Sequence, residues 1–94
     1  MTVYIIARIE VTDLEDYKTY ASQTVAQAEK AGGTFLVKGG PMVQVEGQGP
    51  DRHVVISFPT REQALAWYNS PEYQAILSIA LRSSRRDLVI VDGI

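Results

Sequence analysis

The 94-residue chain contains no cysteine, which excludes disulfides, a thiolate nucleophile and thiolate-held zinc or iron–sulfur sites. A single histidine, His53, is too few for a usual metal site within one chain. Neither sign of charge dominates: the formal net charge is −2, so the basic face that phosphate-backbone binding calls for is missing and no nucleic-acid partner is expected. The one basic cluster, Arg82, Arg85 and Arg86, reads as solvated charge complementing the dipole of a helix C-terminus. No apolar run approaches the ~20 residues of a membrane span. The start, Met1-Thr2-Val3-Tyr4-Ile5-Ile6, has neither a basic segment nor a cleavage site. A cytoplasmic protein without a membrane partner is the expectation. The glycine pairs Gly32-Gly33 and Gly39-Gly40 and the triplet Gly47-Gln48-Gly49 lack the P-loop lysine pattern and the dinucleotide fingerprint; they read as turns, and no cofactor is expected.

Hydrophobic residues make up 46% of the chain and charged ones 21%, the balance of a folded globular domain rather than of a disordered segment. The length allows one hydrophobic core, so residues 1–94 are read as one domain. A domain of this size buries only about 60 to 70% of its unfolded surface and gains from a disulfide, a metal or a second subunit. With the first two excluded, the second subunit remains.

Val3 to Val11 is a β-branched, nearly unbroken apolar run broken by Arg8 and Glu10, and reads as a first strand. Thr12 with Glu15 three residues on forms a capping box, and Leu14, Tyr17, Ala21, Val25 and Ala28 give one apolar helical stripe that stops at Gly32-Gly33. Thr34 to Lys38 reads as a second strand that bends at Gly39-Gly40-Pro41 and resumes at Met42 to Glu46 as an edge strand. After a turn at Gly47 to Asp51, Arg52 to Phe58 makes a third strand and completes a hairpin. Thr60 with Gln63 caps a short second helix in which Ala64, Leu65 and Tyr68 face the core. Ser70 then caps, and Pro71 opens, a third helix whose apolar face is Tyr73, Ile76, Leu77, Ala80 and Leu81. Leu88 to Val91 reads as the last strand.

This order is the split βαβ arrangement of an α+β, ferredoxin-like βαββαβ domain: a four-stranded antiparallel sheet with helices on one face. The helix-free face then carries several of Tyr4, Ile6, Val55, Val89 and Val91 or their neighbours. Leaving such side chains in water forgoes about 1.5 to 3 kcal/mol each, so a homodimer packed through that face is expected. A different partner or a lipid-like ligand on the same face is the competing expectation.

The second half of the chain carries Lys38-Gly39-Gly40, then Val54 to Pro59, Ala66-Trp67-Tyr68-Asn69-Ser70-Pro71-Glu72-Tyr73-Gln74-Ala75 and Val89-Ile90-Val91-Asp92-Gly93. In these segments it resembles the bacterial domain of unknown function 1330 family, of the dimeric α/β-barrel superfamily. The resemblance covers nearly the whole chain and implies two ferredoxin-like units paired into a barrel. It implies little about activity. The family often has arginine before the Gly-Gly where this chain has Lys38, which replaces a bidentate fork by a point charge.

Trp67, Tyr68 and Tyr73 surround the helix break at Ser70-Pro71 and either wall a small-molecule pocket or pack a helix junction. Tyr20 serves the same pocket or the core. Lys38, Arg8 and Arg82 are candidate anion contacts, the alternative being ordinary surface charge. His53 is the one side chain whose ordinary pKa lies near neutrality, which makes it the candidate for acid–base work, although a solvated strand-edge histidine fits equally. Ser70 reads as an N-cap. Two functions follow: binding of a small anionic or aromatic metabolite in a cleft between helices and sheet, or cofactor-independent catalysis of monooxygenase, isomerase or decarboxylase type on such a compound, the latter by analogy of fold.

Overall fold

Alternation governs the first strand, Val3–Val11 (β1), in the computed structural model, which describes residues 1–94. Val3, Ile5, Ala7 and Ile9 point into the core and are buried, while Tyr4, Ile6, Arg8 and Glu10 point the other way. The chain continues through helix α1 (Leu14–Lys30), strand β2 (Thr34–Lys38), strand β3 (Arg52–Phe58), helices α2 (Arg61–Tyr68) and α3 (Pro71–Ser83) and strand β4 (Ser84–Asp92). The sheet order is β2-β3-β1-β4 and every pairing is antiparallel. This is the ferredoxin-like fold expected from the element order, with α1 and α3 packed together over one face of the sheet.

The helices begin where side-chain caps are available. Asp13 accepts from the backbone N–H of Asp16 at 3.2 Å, Thr60 from that of Gln63 at 3.1 Å, and Ser70 from that of Tyr73 at 3.2 Å. The first of these differs from the expected Thr12 cap. The backbone N–H groups of Thr12 and Asp13 both donate to the Ser83 carbonyl, which holds Thr12 at the strand end and moves the helix start one residue on. The buried stripe of α1 is Tyr17, Tyr20, Thr24 and Ala28 rather than one beginning at Leu14, which is exposed. Thr24 is accommodated because its hydroxyl donates to the Tyr20 carbonyl at 2.9 Å. In α2, Trp67 takes the buried place expected of Leu65; in α3, Leu81 is likewise exposed.

Two strand boundaries also differ. Met42 to Glu46 is not a strand: the ladder between β2 and β3 ends with Lys38 opposite Val54 and the Gly39 N–H bonded to the His53 carbonyl at 2.8 Å, and β3, which begins at Arg52, has no residues to lie opposite the continuation. Residues 39–50 form an excursion on which Val43 and Val45 are 84% and 85% exposed. In the opposite sense, β4 starts at Ser84 rather than Leu88, because β1 pairs with it at every position from Val3–Asp92 to Val11–Ser84. Arg85 and Arg86 therefore lie on a strand, not at a helix end, and alternation sends them to opposite faces.

Helix layer and sheet meet closely at Gly33. Its N–H donates to the Ala28 carbonyl at 2.8 Å, and a Cβ there would sit 2.7 Å from the Phe58 ring tip and 3.0 Å from the Ala28 oxygen. Gly33→Ala should therefore destabilise the domain by about 1–3 kcal/mol through overpacking, read as a lower urea midpoint with an unchanged slope. An unshifted midpoint would show that the α1–β2 connection yields.

Candidate functional site

The interstrand register builds the floor of a cavity between α1 and the sheet. Ile9 has Arg52 beside it on β3 and Arg86 beside it on β4. All three occupy the helix-covered face, which places the two arginine backbones roughly 10 Å apart, two strand spacings. The next inward-facing row is Lys38, Val54, Ala7 and Leu88, and the one beyond it contains Phe35, Ile56, Ile5 and Ile90. Ala7, the smallest residue of the central row, leaves room above it. Tyr17, Tyr20, Ala21, Thr24 and Val25 of α1 form the roof and Trp67 of α2 a wall. The space is narrow: its enclosed volume is about 50 Å³, and it opens to solvent, well below the rough 300–1,000 Å³ of a small-ligand site, so a ring-sized ligand enters only if the side chains of its roof move apart.

Aromatic rings and arginines interlock around this cavity. The Tyr17 and Tyr20 centroids are 5.5 Å apart; the Arg52 guanidinium stands over Tyr17 and the Arg86 guanidinium over Tyr20, each 5.3 Å from the ring centre. Behind them Tyr73, with no exposed surface, packs 4.3 Å from Trp67, centroid to centroid, and its hydroxyl lies 2.7 Å from that of Tyr20. Arg86 donates to the Tyr73 oxygen at 3.1 Å. Burial pushes the Tyr73 hydroxyl well above its ordinary pKa, with the neighbouring Tyr20 adding to the effect. For Arg86, burial opposes the charged form, but the oxygens of Tyr20 and Tyr73 outweigh it, so the guanidinium remains charged. Arg52 Nε, Arg86 Nη1 and Trp67 Nε1 are buried and find no acceptor among protein atoms.

The structure brings together Tyr20, Lys38 and Trp67 as lining residues, with Tyr73 directly behind them. Tyr68 packs 5.4 Å from Tyr73 but lines a separate depression with Leu65, Leu77 and Leu81. His53 and Arg8 are register partners on the helix-free face, on the far side of the sheet from the cavity. Arg82 is occupied elsewhere: its Nε donates to Asp16 at 2.7 Å on the surface, and this contact holds the Asp16 carboxyl below its usual range. Ser70 serves as a cap, its hydroxyl donating to the Trp67 carbonyl at 2.7 Å. Tyr17, Arg52 and Arg86 were missed from sequence. The signal for the arginines was present, since Arg52 is in phase with Val54, Ile56 and Phe58, and Arg86 with Leu88 and Ile90.

The buried Tyr73 hydroxyl fixes the sign of the alkaline response. A tyrosine whose pKa is raised by folding contributes fully below about pH 10, its unfolded value, and that contribution is lost as pH rises above it, because only the unfolded chain ionises there. Stability should fall above pH ~10 with a slope approaching 1.4 kcal/mol per pH unit for this group, and Tyr73→Phe should flatten that limb in denaturation series run at increasing pH. An equally steep limb in the variant would assign the loss to other groups.

Comparison with known proteins places this architecture. None of the curated proteins matches the chain. Among solved structures, a protein of unknown function from Rhodopseudomonas palustris superposes with a TM-score of 0.80 at 12% identity, over 99% of this chain and 82% of that one. A dimeric ferredoxin-like protein of unknown function from Jannaschia sp. gives 0.79 at 16% identity, over 99% and 100%. A cofactor-independent oxygenase from Streptomyces nogalater, SnoaB, gives 0.70 at 11% identity, over 99% and 93%. At these identities the likeness is one of fold. The family model for "Domain of unknown function (DUF1330)" matches residues 2–94, and the chain belongs to that family.

Proposed function

We propose that this protein works as a homodimer joined through its helix-free sheet face, each subunit holding a small anionic or aromatic metabolite in the cavity between α1 and the sheet. The observation that carries the ligand reading is the cationic row Arg52 and Arg86 about Ile9, set in a cavity with no carboxylate among its lining residues. Arg52 and Arg86 are each half-buried, and charge drawn partly out of water without a protein counter-ion favours a bound anion.

The dimer reading rests on the other face of the same sheet. Val37, Val55, Ile6 and Val89 form one aliphatic row across all four strands, and Tyr4 and Val91 extend it. Val37 is 41% exposed and Val89 53%. Covering each such side chain contributes up to about 1.5–3 kcal/mol, and an antiparallel sheet face is self-complementary under twofold symmetry. The Jannaschia protein of the same fold is described as dimeric.

The cavity favours binding over proton transfer. It is lined by no carboxylate, imidazole or thiol, its cations are poor bases, and Tyr73 is held in its neutral form. His53, facing the opposite side of the sheet, is out of reach. The second reading, a cofactor-independent enzyme, draws on the fold shared with the Streptomyces nogalater oxygenase. It requires a substrate acidic enough to lose a proton without a base from this cavity, its anion held by the arginines.

Native mass spectrometry of gently purified protein tests both halves. We expect a dimer carrying added small-molecule mass, and Ile6→Asp, which sets a charge at the centre of the aliphatic row, should convert it to monomer. A wild-type monomer at micromolar concentration would overturn the interface. A dimer that takes up no anionic or aromatic compound from a metabolite extract would overturn the ligand role.

A further inference from the structure

We propose that the cavity selects a small aromatic carboxylate, its carboxylate seated between Arg52 and Arg86 and its ring among Tyr17, Tyr20 and Trp67; this deepens, and rests on, the reading of the cavity as a ligand site. Charge comes first. The three ion pairs of the protein, Arg61–Asp92, Arg82–Asp16 and Arg85–Glu10, are on its surface and leave Arg52, Arg86 and Lys38 without an acidic partner. Arg52 Nε and Arg86 Nη1 are buried N–H groups with no protein acceptor, the donors an anion between the two arginines would meet. Both backbones flank Ile9, and two side chains of arginine length reach a common point from roughly 10 Å apart.

The remaining lining defines the rest of the ligand. Of 16 residues, 12 are hydrophobic; the others are the three cations and Thr24, whose hydroxyl already donates to its own helix. A molecule that fits therefore carries one anionic head and an apolar body. The cations lie toward the Ile9 end of the floor, while the Ile5 end is formed by Phe35, Ile56 and Ile5. That polarity orients the ligand along β1. Tyr17, Tyr20 and Trp67 supply edges and faces against which a planar ring packs at the usual 4.5–7 Å centroid separations. A carboxylate suits guanidinium donors in a plane. A phosphate suits them less well, because β1 and β3, the middle of the floor, have strands paired on both sides and so offer it no free row of backbone N–H groups.

Trp67 is the only tryptophan in the chain, so its emission reports occupation of the cavity. The experiment titrates the full-length protein with benzoate and phenylacetate, with their neutral counterparts benzamide and phenylacetamide, and with acetate. Both aromatic acids should saturate the signal, the amides should bind at least about tenfold more weakly, and acetate should have no effect in the same range. Arg86→Gln and Arg52→Gln should each weaken the acids roughly ten- to hundredfold and narrow the gap between acid and amide. Arg86→Lys, which keeps the charge and loses the fork, should fall between. Thermal unfolding by circular dichroism shows whether each variant is folded; for any that is not, the wild-type comparison of acid with amide decides. Amides binding as tightly as acids would overturn the carboxylate assignment while sustaining the cavity as a ligand site. Failure of every ring compound to perturb Trp67 would overturn both.

Discussion

The strict two-residue alternation of β1, held between β3 and β4, is the constraint on which the rest of this domain depends. Each inward residue has a neighbour on both sides: Ile5 lies between Ile56 and Ile90, Ala7 between Val54 and Leu88, and Ile9 between Arg52 and Arg86. The same register assigns Tyr4, Ile6 and Arg8 to the opposite face, each with its own pair of neighbours. A slip of one residue would exchange the two sets, placing Arg8 under the helices and Ile9 in the open. The cavity floor and the aliphatic face are thus two readings of one pairing.

Within the helix-covered layer, both arginines are received by aromatic groups. Arg86 crosses from β4 into a nest of tyrosines, lying over the Tyr20 ring and donating to the Tyr73 oxygen. Tyr73 in turn is tied to Tyr20 across the gap between α3 and α1. The hydroxyl pair therefore joins the two long helices to each other and to the last strand at one point. Both packing and polarity at this point come from α3, whose register is set by the Ser70 cap and the Pro71 that follows it. A local feature of the helix break thereby fixes the depth at which an arginine on a distant strand is received.

Much of this was legible in sequence. The element order, the helix break and its cap, the Thr60 cap and the apolar character of the helix-free face all follow from patterns local to a few residues. So did three of the groups around the cavity, Tyr20, Lys38 and Trp67, read from aromatic and basic residues near predicted element ends. What escaped reading was set by pairing over long separations. The length of β4 is dictated by β1, more than seventy positions earlier in the chain, so the serine and arginine run from Ser84 looked like a helix end. Met42 to Glu46 has strand composition, but β3 begins only at Arg52 and does not extend opposite it. Residue type singled out His53 and Arg82, yet register turns the first to the wrong face and Asp16 engages the second.

The pairing of β1 with β4 also orders events in time. Val3 lies opposite Asp92, and the Gly93 N–H donates to the Thr2 carbonyl at 2.8 Å. On the ribosome the first strand emerges long before its second neighbour exists, and until then one of its edges is bare. β1 can meet β3 early, but Arg86 and Leu88 arrive with the last strand to be made. The cavity is therefore completed only after synthesis of β4, by a contact of very long loop length, the kind that closes slowly. Between the synthesis of β3 and that of β4, the nascent domain has at most three of its four strands, and its pocket has one side missing.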